Sequence, residues 1–181
     1  YRRQRQMYIR DRLRLEQNKG YGGGILAGLT KADTPLVGWM HADLQTPPSV
    51  LLSIPPNHLK SDLRFIKGKR KNRPLLDRFL TGGMSILESA LFGTPLWDIN
   101  AQPTIFPRTL ILNMETPPSD FSLDLFIYLK ARRNGLGVFR FSVPFGPRFF
   151  GQSSWNTGLQ ARAKFIRRTL RYSISLRKEK R

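Results

Sequence analysis

Residues 38 to 51, GWMHADLQTPPSVL, join an apolar segment to a polar cluster and then to two prolines. The apolar segment starts at Pro35 and runs through Met40, a pattern typical of a central parallel strand that is buried on both faces. A helix is predicted to begin at Pro47 and Pro48, because proline is tolerated in a helical first turn. In an open α/β sheet, ligands bind beyond the carboxyl ends of the strands, so the polar cluster is predicted to lie in a binding site.

His41, Asp43 and Gln45 are the candidate ligands in this cluster. Alternate residues of an extended chain share a face, so these three side chains can converge on one point. A carboxylate, an imidazole and an amide oxygen form an incomplete shell for Mn²⁺ or Mg²⁺. An ordinary loop, in which Asp43 and Gln45 satisfy backbone groups ahead of the prolines, explains the same residues, and the spacing alone favours the loop.

The rest of the chain alternates short apolar segments with longer helical patterns, which predicts an α/β fold with a largely parallel sheet. A length of 181 residues corresponds to about one domain. Strands are predicted at residues 62–68 and 136–144. Helices are predicted at the glycine-rich segment GYGGGILAGLTKA that follows Lys19, at residues 73–93 with a weak point at Gly82 and Gly83, and at residues 122–135, closed by Gly135.

The chain is strongly basic, with 31 Lys and Arg against 12 Asp and Glu and a formal net charge of +19. Its partners are therefore predicted to be anionic: a nucleic acid, a lipid headgroup surface or a phosphate-bearing substrate. The absence of cysteine excludes a disulfide scaffold and a thiolate metal site. No apolar run reaches about 18 residues, so no membrane-spanning segment is predicted. The opening stretch YRRQRQMYIRDRLRLEQ has no obvious beginning of a fold, and we expect an upstream part of the protein to be missing.

Two groups of residues around the polar cluster carry a family resemblance. Before the strand, the resemblance rests on an asparagine and a glycine-rich helix entry; after it, on an Ala-Asp-Leu-Gln segment followed by prolines. The chain here resembles a family 2 glycosyltransferase of the GT-A fold, in the branch of dolichyl-phosphate mannose synthase and other polyprenyl-phosphate glycosyltransferases. The matching residues are Asn18, Gly20, Gly22, Gly28, Ala42, Asp43, Leu44, Gln45, Pro47 and Pro48.

The resemblance continues to the final helix. FIKGKR is similar to the family's strand that ends in Gly-x-Arg, with Arg70 at the arginine. DINAQPTIFPRTL is similar to the family's acceptor-side segment, and Asp98 is its first residue here. The segment after residue 144 is similar to the family's closing Arg-x-x-Gly-x-Ser element, here Arg148, Gly151 and Ser153.

This resemblance implies a GT-A-like, mostly parallel sheet with flanking helices, truncated at the N-terminus. It also implies an inverting, metal-dependent enzyme that moves a sugar from a nucleotide diphosphate sugar to a polyprenyl phosphate or a glycan. Such enzymes work at the cytoplasmic face of a membrane in the synthesis of cell-envelope polysaccharides. A peripheral location on that inner face is therefore expected.

Two departures from the family pattern affect these expectations. His41 stands where the family has the first aspartate of its motif, and imidazole suits Mn²⁺ better than Mg²⁺, so manganese is favoured. The family's opening strand and its Asp-Asp-Gly-Ser-type segment, which hold the nucleotide base and ribose, have no counterpart before Asn18.

The resemblance assigns candidate roles around the transferred sugar. Arg70 and Arg148 are the candidates for gripping phosphate oxygens, with solvated surface arginines as the alternative. Asp98 is the first candidate for a general base, and Asp124 is the second. The alternative for Asp98 is a residue that forms a turn or caps a helix. The alternative for Asp124 is an acidic residue that stabilises the first turn of its helix. Asn18, Gly20 and Ser153 are further candidates for phosphate or substrate binding, although tight packing of the helix on the sheet explains the glycine-rich turn as well.

The tail is predicted to form a basic amphipathic helix at residues 158–181, beyond a main domain at residues 1–157. Leu159, Ala163, Ile166 and Leu170 recur at helical spacing among arginines. Such a helix can lie on an anionic membrane surface or pack on its own domain with its basic face in solvent. A basic nucleic-acid-binding module or a non-catalytic membrane-surface module is the alternative class for the whole chain. No zinc-finger spacing or RNA-recognition pattern of aromatics favours nucleic acid.

Overall fold

A computed structural model describes residues 12–43, 45–60, 62–112, 114, 116–146 and 159–178. Four strands and six α-helices alternate along these residues, with one 3₁₀ helix at Pro48–Ser53. The strands are β1 (Leu36–Trp39), β2 (Arg64–Arg70), β3 (Thr104–Pro107) and β4 (Gly137–Val143). The helices are α1 (Gly20–Lys31), α2 (Pro56–Leu59), α3 (Leu75–Phe92), α4 (Thr109–Leu112), α5 (Leu123–Arg133) and α6 (Leu159–Lys178).

The four strands form one sheet in the order β1-β3-β2-β4. β3 runs antiparallel to both of its neighbours, whereas β2 and β4 are parallel. β1, β2 and β4 therefore share a direction, and their carboxyl ends lie at one edge of the sheet, which we call the carboxyl edge. The mixed α/β fold is as predicted, but the expectation of a mostly parallel sheet needs correction, because two of the three strand pairings are antiparallel.

β3 is the strand that the sequence patterns missed. Its four residues, TIFP, are too few to show an alternating pattern, and they lay inside the segment interpreted as acceptor-side. Gly38 on β1 and Gly68 on β2 were the available signal. A side chain at either position would collide with the backbone at Thr104 or Gln102, so both glycines mark the close approach of β3 and the residues before it.

The core has two parts, one on each face of the sheet. Phe65 of β2 lies on the first face, where its ring stacks on Phe106 and on Tyr128 of α5. Ile66, the next residue, lies on the opposite face with Val50 and Ile54 from the 3₁₀ helix and the turn after it. This alternation follows from the two-residue period of a strand, and it leaves β2 buried on both faces.

Most predicted elements are confirmed, with one change after β1. An α-helix was predicted from Pro47 and Pro48, but Pro48–Ser53 forms a 3₁₀ helix. Pro55 and Pro56 follow shortly after it. α3 is continuous through Gly82 and Gly83 and ends at Gly93, which has a left-handed φ of 63°. Within the described residues, no helix combines the length and apolar character needed to cross a bilayer.

Candidate active site

The loop after β1 crosses the carboxyl edge and pairs with the loop after β4. Gln45 donates from its side-chain nitrogen to the carbonyl of Gly146 at 3.0 Å, and the Gly146 backbone N–H donates to the Gln45 carbonyl at 2.9 Å. Thr46 adds a hydrogen bond from its hydroxyl to the Pro144 carbonyl at 3.0 Å. The predicted polar cluster is therefore tied across the sheet from β1 to β4.

The three candidate metal ligands lie in this loop. Asp43 Oδ1 accepts the backbone N–H of Gln45 at 3.2 Å, which folds these two residues into a turn. The ring of His41 lies 6.3 Å from the ring of Tyr21 on α1. Because the Gln45 amide nitrogen is bonded to Gly146, the amide oxygen is the atom of that group suited to a cation.

One carboxylate, one imidazole and one amide oxygen suit a divalent ion that takes its remaining ligands from elsewhere. In the part of the chain that the structure describes, no group of three or more His, Cys, Asp or Glu side chains forms a metal cluster. The assignment of a metal to His41, Asp43 and Gln45 therefore stays a prediction, in which their donor atoms would form part of a shell and the phosphate oxygens of a ligand would complete it.

A second group at the carboxyl edge centres on Asp98. Its carboxylate accepts two hydrogen bonds from the Arg70 guanidinium, one of them at 3.3 Å from Nε, and lies 3.8 Å from Arg73. The Phe145 ring lies beside both guanidiniums, 5.5 Å from Arg70 and 6.0 Å from Arg73. The backbone N–H of Asp98 donates to the Ser85 hydroxyl at 3.0 Å, which holds the aspartate at a left-handed φ of 43°.

The Asp98 group carries two cations and one anion, and all three side chains are largely buried. Burial and the neighbouring Arg70 lower the pKa of Arg73. A buried site with excess positive charge favours an anion that can accept bidentate hydrogen bonds, such as a phosphate. The Asp98 oxygens are already engaged by guanidiniums, which makes the carboxylate well suited to hold the two arginines.

A third group, buried beneath the edge, joins β2, β3, α1 and α5. Lys67 Nζ donates to the Thr104 hydroxyl at 2.9 Å, and the Tyr21 hydroxyl donates to Asp124 Oδ2 at 2.8 Å. Gln102 donates to the Tyr21 oxygen at 2.6 Å. These contacts tie the first turn of α1 to the sheet, and we refer to the five residues as the buried network.

The buried network contains two ionisable groups whose pKa values are moved by burial. Burial lowers the pKa of Lys67 to about 7, with Arg140 and Arg70 acting in the same direction and Asp124 opposing them. Burial raises the pKa of Asp124 to about 6, with Lys67 as the main opposing influence. The pKa of Tyr21 is raised, mainly by burial and secondly by the nearby charge of Asp124. Removing these groups from water thus outweighs their mutual attraction.

Sequence reasoning placed Asp124 in the first turn of its helix, which is where it lies, but missed its burial at 1% exposure. It also missed Lys67. A lysine between Ile66 and Gly68 in a strand buried on both faces was the available signal.

The glycine-rich turn at the start of α1 packs against residues 118–120. Asn18 Oδ1 accepts the backbone N–H of Gly20 at 2.9 Å, and the Gly23 N–H donates to the Ser119 carbonyl at 3.1 Å. A Cβ at Gly22 would lie 2.6 Å from the Pro118 carbonyl oxygen, so only glycine fits there without movement. Close packing therefore accounts for Gly22. Arg148, Gly151 and Ser153 lie outside the described residues.

These observations define an α/β protein with polar and cationic groups gathered where ligands bind in such folds, at the carboxyl ends of strands. Residues 11–92 match the family model described as Glycosyl transferase family 2. The match spans α1 to α3 and includes Asp43 and Arg70. The match supports a glycosyltransferase similar to family 2, a family whose members use a nucleotide sugar donor and an acceptor. No curated protein matches the chain.

Proposed function

We propose that this protein transfers a sugar, with inversion, from a nucleotide diphosphate sugar to a polyprenyl phosphate, as in the dolichyl-phosphate mannose synthase branch that the sequence resembles. The observation that carries this proposal is the Asp98 group, in which two largely buried arginines share one carboxylate at the carboxyl edge. Its excess positive charge suits a phosphate on the acceptor or on the donor.

Donor binding is assigned to the loop after β1. Asp43 and His41, with the Gln45 amide oxygen, would hold a divalent ion, Mn²⁺ in preference to Mg²⁺, and this ion would supply Lewis-acid stabilisation of the departing diphosphate. Hydrogen bonds to Gly146 hold Gln45 in place for this role. Further phosphate-binding or substrate-binding residues are proposed because of the family resemblance: Arg148, Ser153, Asn18 and Gly20.

Acceptor binding is assigned to Arg70 and Arg73, with Asp98 holding both guanidiniums in position. A polyprenyl phosphate is already an anion and needs little help from a general base. A glycan hydroxyl would need one, and Asp98 is then the candidate, because Asp124 is buried and bonded to Tyr21. The position of the two arginines favours the phosphate acceptor over the glycan.

The membrane setting is assigned to the peripheral, cytoplasmic face of a bilayer. One side of α6 packs on the domain through Tyr172, Ser173 and Leu176. Another side carries an apolar stripe of Ala163, Ile166, Leu170 and Ile174, with Arg167 and Arg171 beside it. An apolar stripe with arginines beside it is the pattern of a helix that lies on anionic lipid.

The first prediction concerns Asp43→Ala and donor binding. Thermal unfolding of the chain is followed with and without Mn²⁺ against a panel of UDP-, GDP- and other nucleotide-linked sugars. Ligand at about 100 times its Kd stabilises the folded state by about 2.7 kcal/mol, which raises the midpoint by roughly 5–10 °C. We expect a rise that needs both the metal and one nucleotide sugar, and that is lost in Asp43→Ala.

Asp33→Ala is the matched control, because Asp33 is exposed and precedes β1 at the opposite edge. It should leave the ligand-dependent rise unchanged. An unaltered rise in Asp43→Ala would contradict the assignment of the donor site to the loop after β1.

A further inference from the structure

α3 directs several large apolar side chains outward and two of its polar side chains inward. Leu75 is 78% exposed, Phe79 is 80% exposed and Ile86 is 65% exposed. Ser85 and Glu88 on the opposite side are buried. This is the reverse of the usual arrangement for a surface helix, in which the apolar stripe faces the core.

The inward polar residues of α3 have specific partners. The Ser85 hydroxyl donates to the Thr81 carbonyl at 2.8 Å and accepts the backbone N–H of Asp98 at 3.0 Å. Glu88 accepts a hydrogen bond from the Ser173 hydroxyl of α6 at 2.7 Å. The inner side of α3 is therefore used to hold the Asp98 group and α6, and the core gains nothing from the apolar residues on the outer side.

The outward residues lie on one side of the helix. Leu75, Phe79 and Ile86 follow each other at spacings of four and seven, which places them along one stripe of the helix. Leu76 and Leu87 are also exposed and lie beside that stripe. We call these five residues the α3 apolar face. Single exposed apolar residues are ordinary, but five large ones on one side of a helix indicate an interaction site.

The surroundings of the α3 apolar face are cationic and aromatic. Lys69 and Lys71 are exposed just before the helix, and Arg78 is exposed on its first turns. Trp97 is half exposed next to the middle of the helix, where a Cβ at Gly82 would lie 3.9 Å from its ring. Lys and Arg beside large apolar groups, with a tryptophan at the margin, form the pattern of an interfacial membrane helix.

We propose that the α3 apolar face inserts into the surface of an anionic lipid bilayer. The formal net charge of +19 supports a lipid surface of opposite charge as the partner. Arg73 joins the first turns of α3 to the Asp98 group by donating to the Thr81 hydroxyl at 3.0 Å. Insertion of α3 therefore holds the two arginines close to the lipid headgroups.

This inference deepens the proposed function, because it gives a lipid-linked phosphate a route to Arg70 and Arg73 along α3. Insertion itself does not depend on sugar transfer. It can therefore be tested without donor or metal, and its failure is distinct from failure of the donor-binding experiment.

The experiment is co-sedimentation of the full chain with two kinds of vesicle, phosphatidylcholine alone and phosphatidylcholine with phosphatidylglycerol. The test variant is the double substitution Leu75→Ser with Phe79→Ser. The control is Leu52→Ser, which removes a leucine that is 88% exposed on the 3₁₀ helix, outside the α3 apolar face. Thermal unfolding of each variant checks the fold, which these exposed side chains do little to stabilise.

We expect the chain to bind the anionic vesicles and the double variant to bind them at least about tenfold more weakly, because it loses two large apolar groups from the inserted surface. Leu52→Ser should bind like the unmodified chain. Equal binding by the double variant would overturn the proposal and leave α6 as the lipid-binding element. Loss of a self-associated species in analytical ultracentrifugation, without any change in vesicle binding, would overturn it in favour of a second copy of the chain.

Discussion

At the scale of single residues, Lys67 couples the buried network to pH. Its ammonium group is wholly buried, with the rings of Phe65 and Tyr128 5.7 and 5.5 Å away and the Thr104 hydroxyl as its hydrogen-bond acceptor. Burial penalises the charged form of the lysine and lowers its pKa from 10.5 to about 7. Between about pH 7 and pH 10.5, Lys67 therefore carries a proton in the unfolded chain that it lacks in the folded chain.

The prediction at this scale concerns Lys67→Met and the pH dependence of stability. Because the unfolded state binds more protons above about pH 7, the free energy of unfolding rises with pH, by at most about 1.4 kcal/mol per pH unit for this group. Urea unfolding from about pH 7 to about pH 9 should show this rise in the unmodified chain. The rise should be smaller in Lys67→Met.

Lys69→Met is the control for the general effect of removing positive charge. Lys69 is exposed on the same strand two residues later, so its side chain is solvated in the folded state. The pH slope of this variant should match that of the unmodified chain. If Lys67→Met keeps the full slope, the charge of Lys67 does not limit stability.

At the scale of elements, the docking of α1 depends on how closely its first turn approaches residues 118–120. The helix carries four glycines near its start, and they have different surroundings. A Cβ at Gly22 would lie 2.6, 2.7 and 2.8 Å from backbone atoms of Pro118, Ser119 and Asp120, whereas a Cβ at Gly24 would meet nothing within 4 Å. The glycine-rich turn is thus a packing surface at Gly22 and ordinary exposed helix at Gly24.

The prediction at this scale compares Gly22→Ala with Gly24→Ala. Gly22→Ala should destabilise the chain by about 1–3 kcal/mol, because backbone atoms on the facing loop cannot move aside as a flexible side chain can. Gly24→Ala should stabilise it by up to about 1 kcal/mol through better helix propensity. Chemical denaturation of both variants measures the difference. Equal effects at the two positions would show that the contact with residues 118–120 does not hold α1.

At the scale of the whole molecule, specific contacts of the described side chains join α6 to the rest of the chain. Leu176 enters the core cluster, the Ser173 hydroxyl donates to Glu88 of α3, and Arg168 lies 3.5 Å from Asp120. Burial raises the pKa of Glu88, and the hydrogen bond from Ser173 opposes that rise. The tail helix therefore packs on the domain through one side, while Lys164, Arg167 and Arg171 are exposed.

The prediction at this scale concerns Ser173→Ala. Removal of the hydroxyl leaves the buried Glu88 carboxyl without this donor, so the free energy of unfolding should fall by about 1–3 kcal/mol. Ser175→Ala is the control, since Ser175 is exposed on the same helix. Chemical denaturation of the two variants is the measurement. A change no larger than that of Ser175→Ala would mean that the hydrogen bond from Ser173 to Glu88 does not help to hold α6.

Much of the fold could be predicted from the sequence, because helix and strand periods and the Gly and Pro signals act between neighbours in the chain. The strand before Met40, the helices at α1, α3, α5 and α6, and the ends at Gly93 and Gly135 follow from such signals. The position of the polar cluster after β1 also followed, since the end of a buried strand is visible in the sequence.

Only the tertiary structure decided what those elements bring together. The antiparallel insertion of β3 rests on backbone pairing with β1 and β2, and Tyr21 reaches Asp124 across 103 positions of sequence. The pairing of Asp98 with Arg70 and the outward turn of the α3 apolar face likewise depend on contacts between distant segments. The sequence by itself determined the local elements and the charge; the sheet order, the buried network and the exposed apolar surface arise only when those elements pack, because burial is a property of the packed chain.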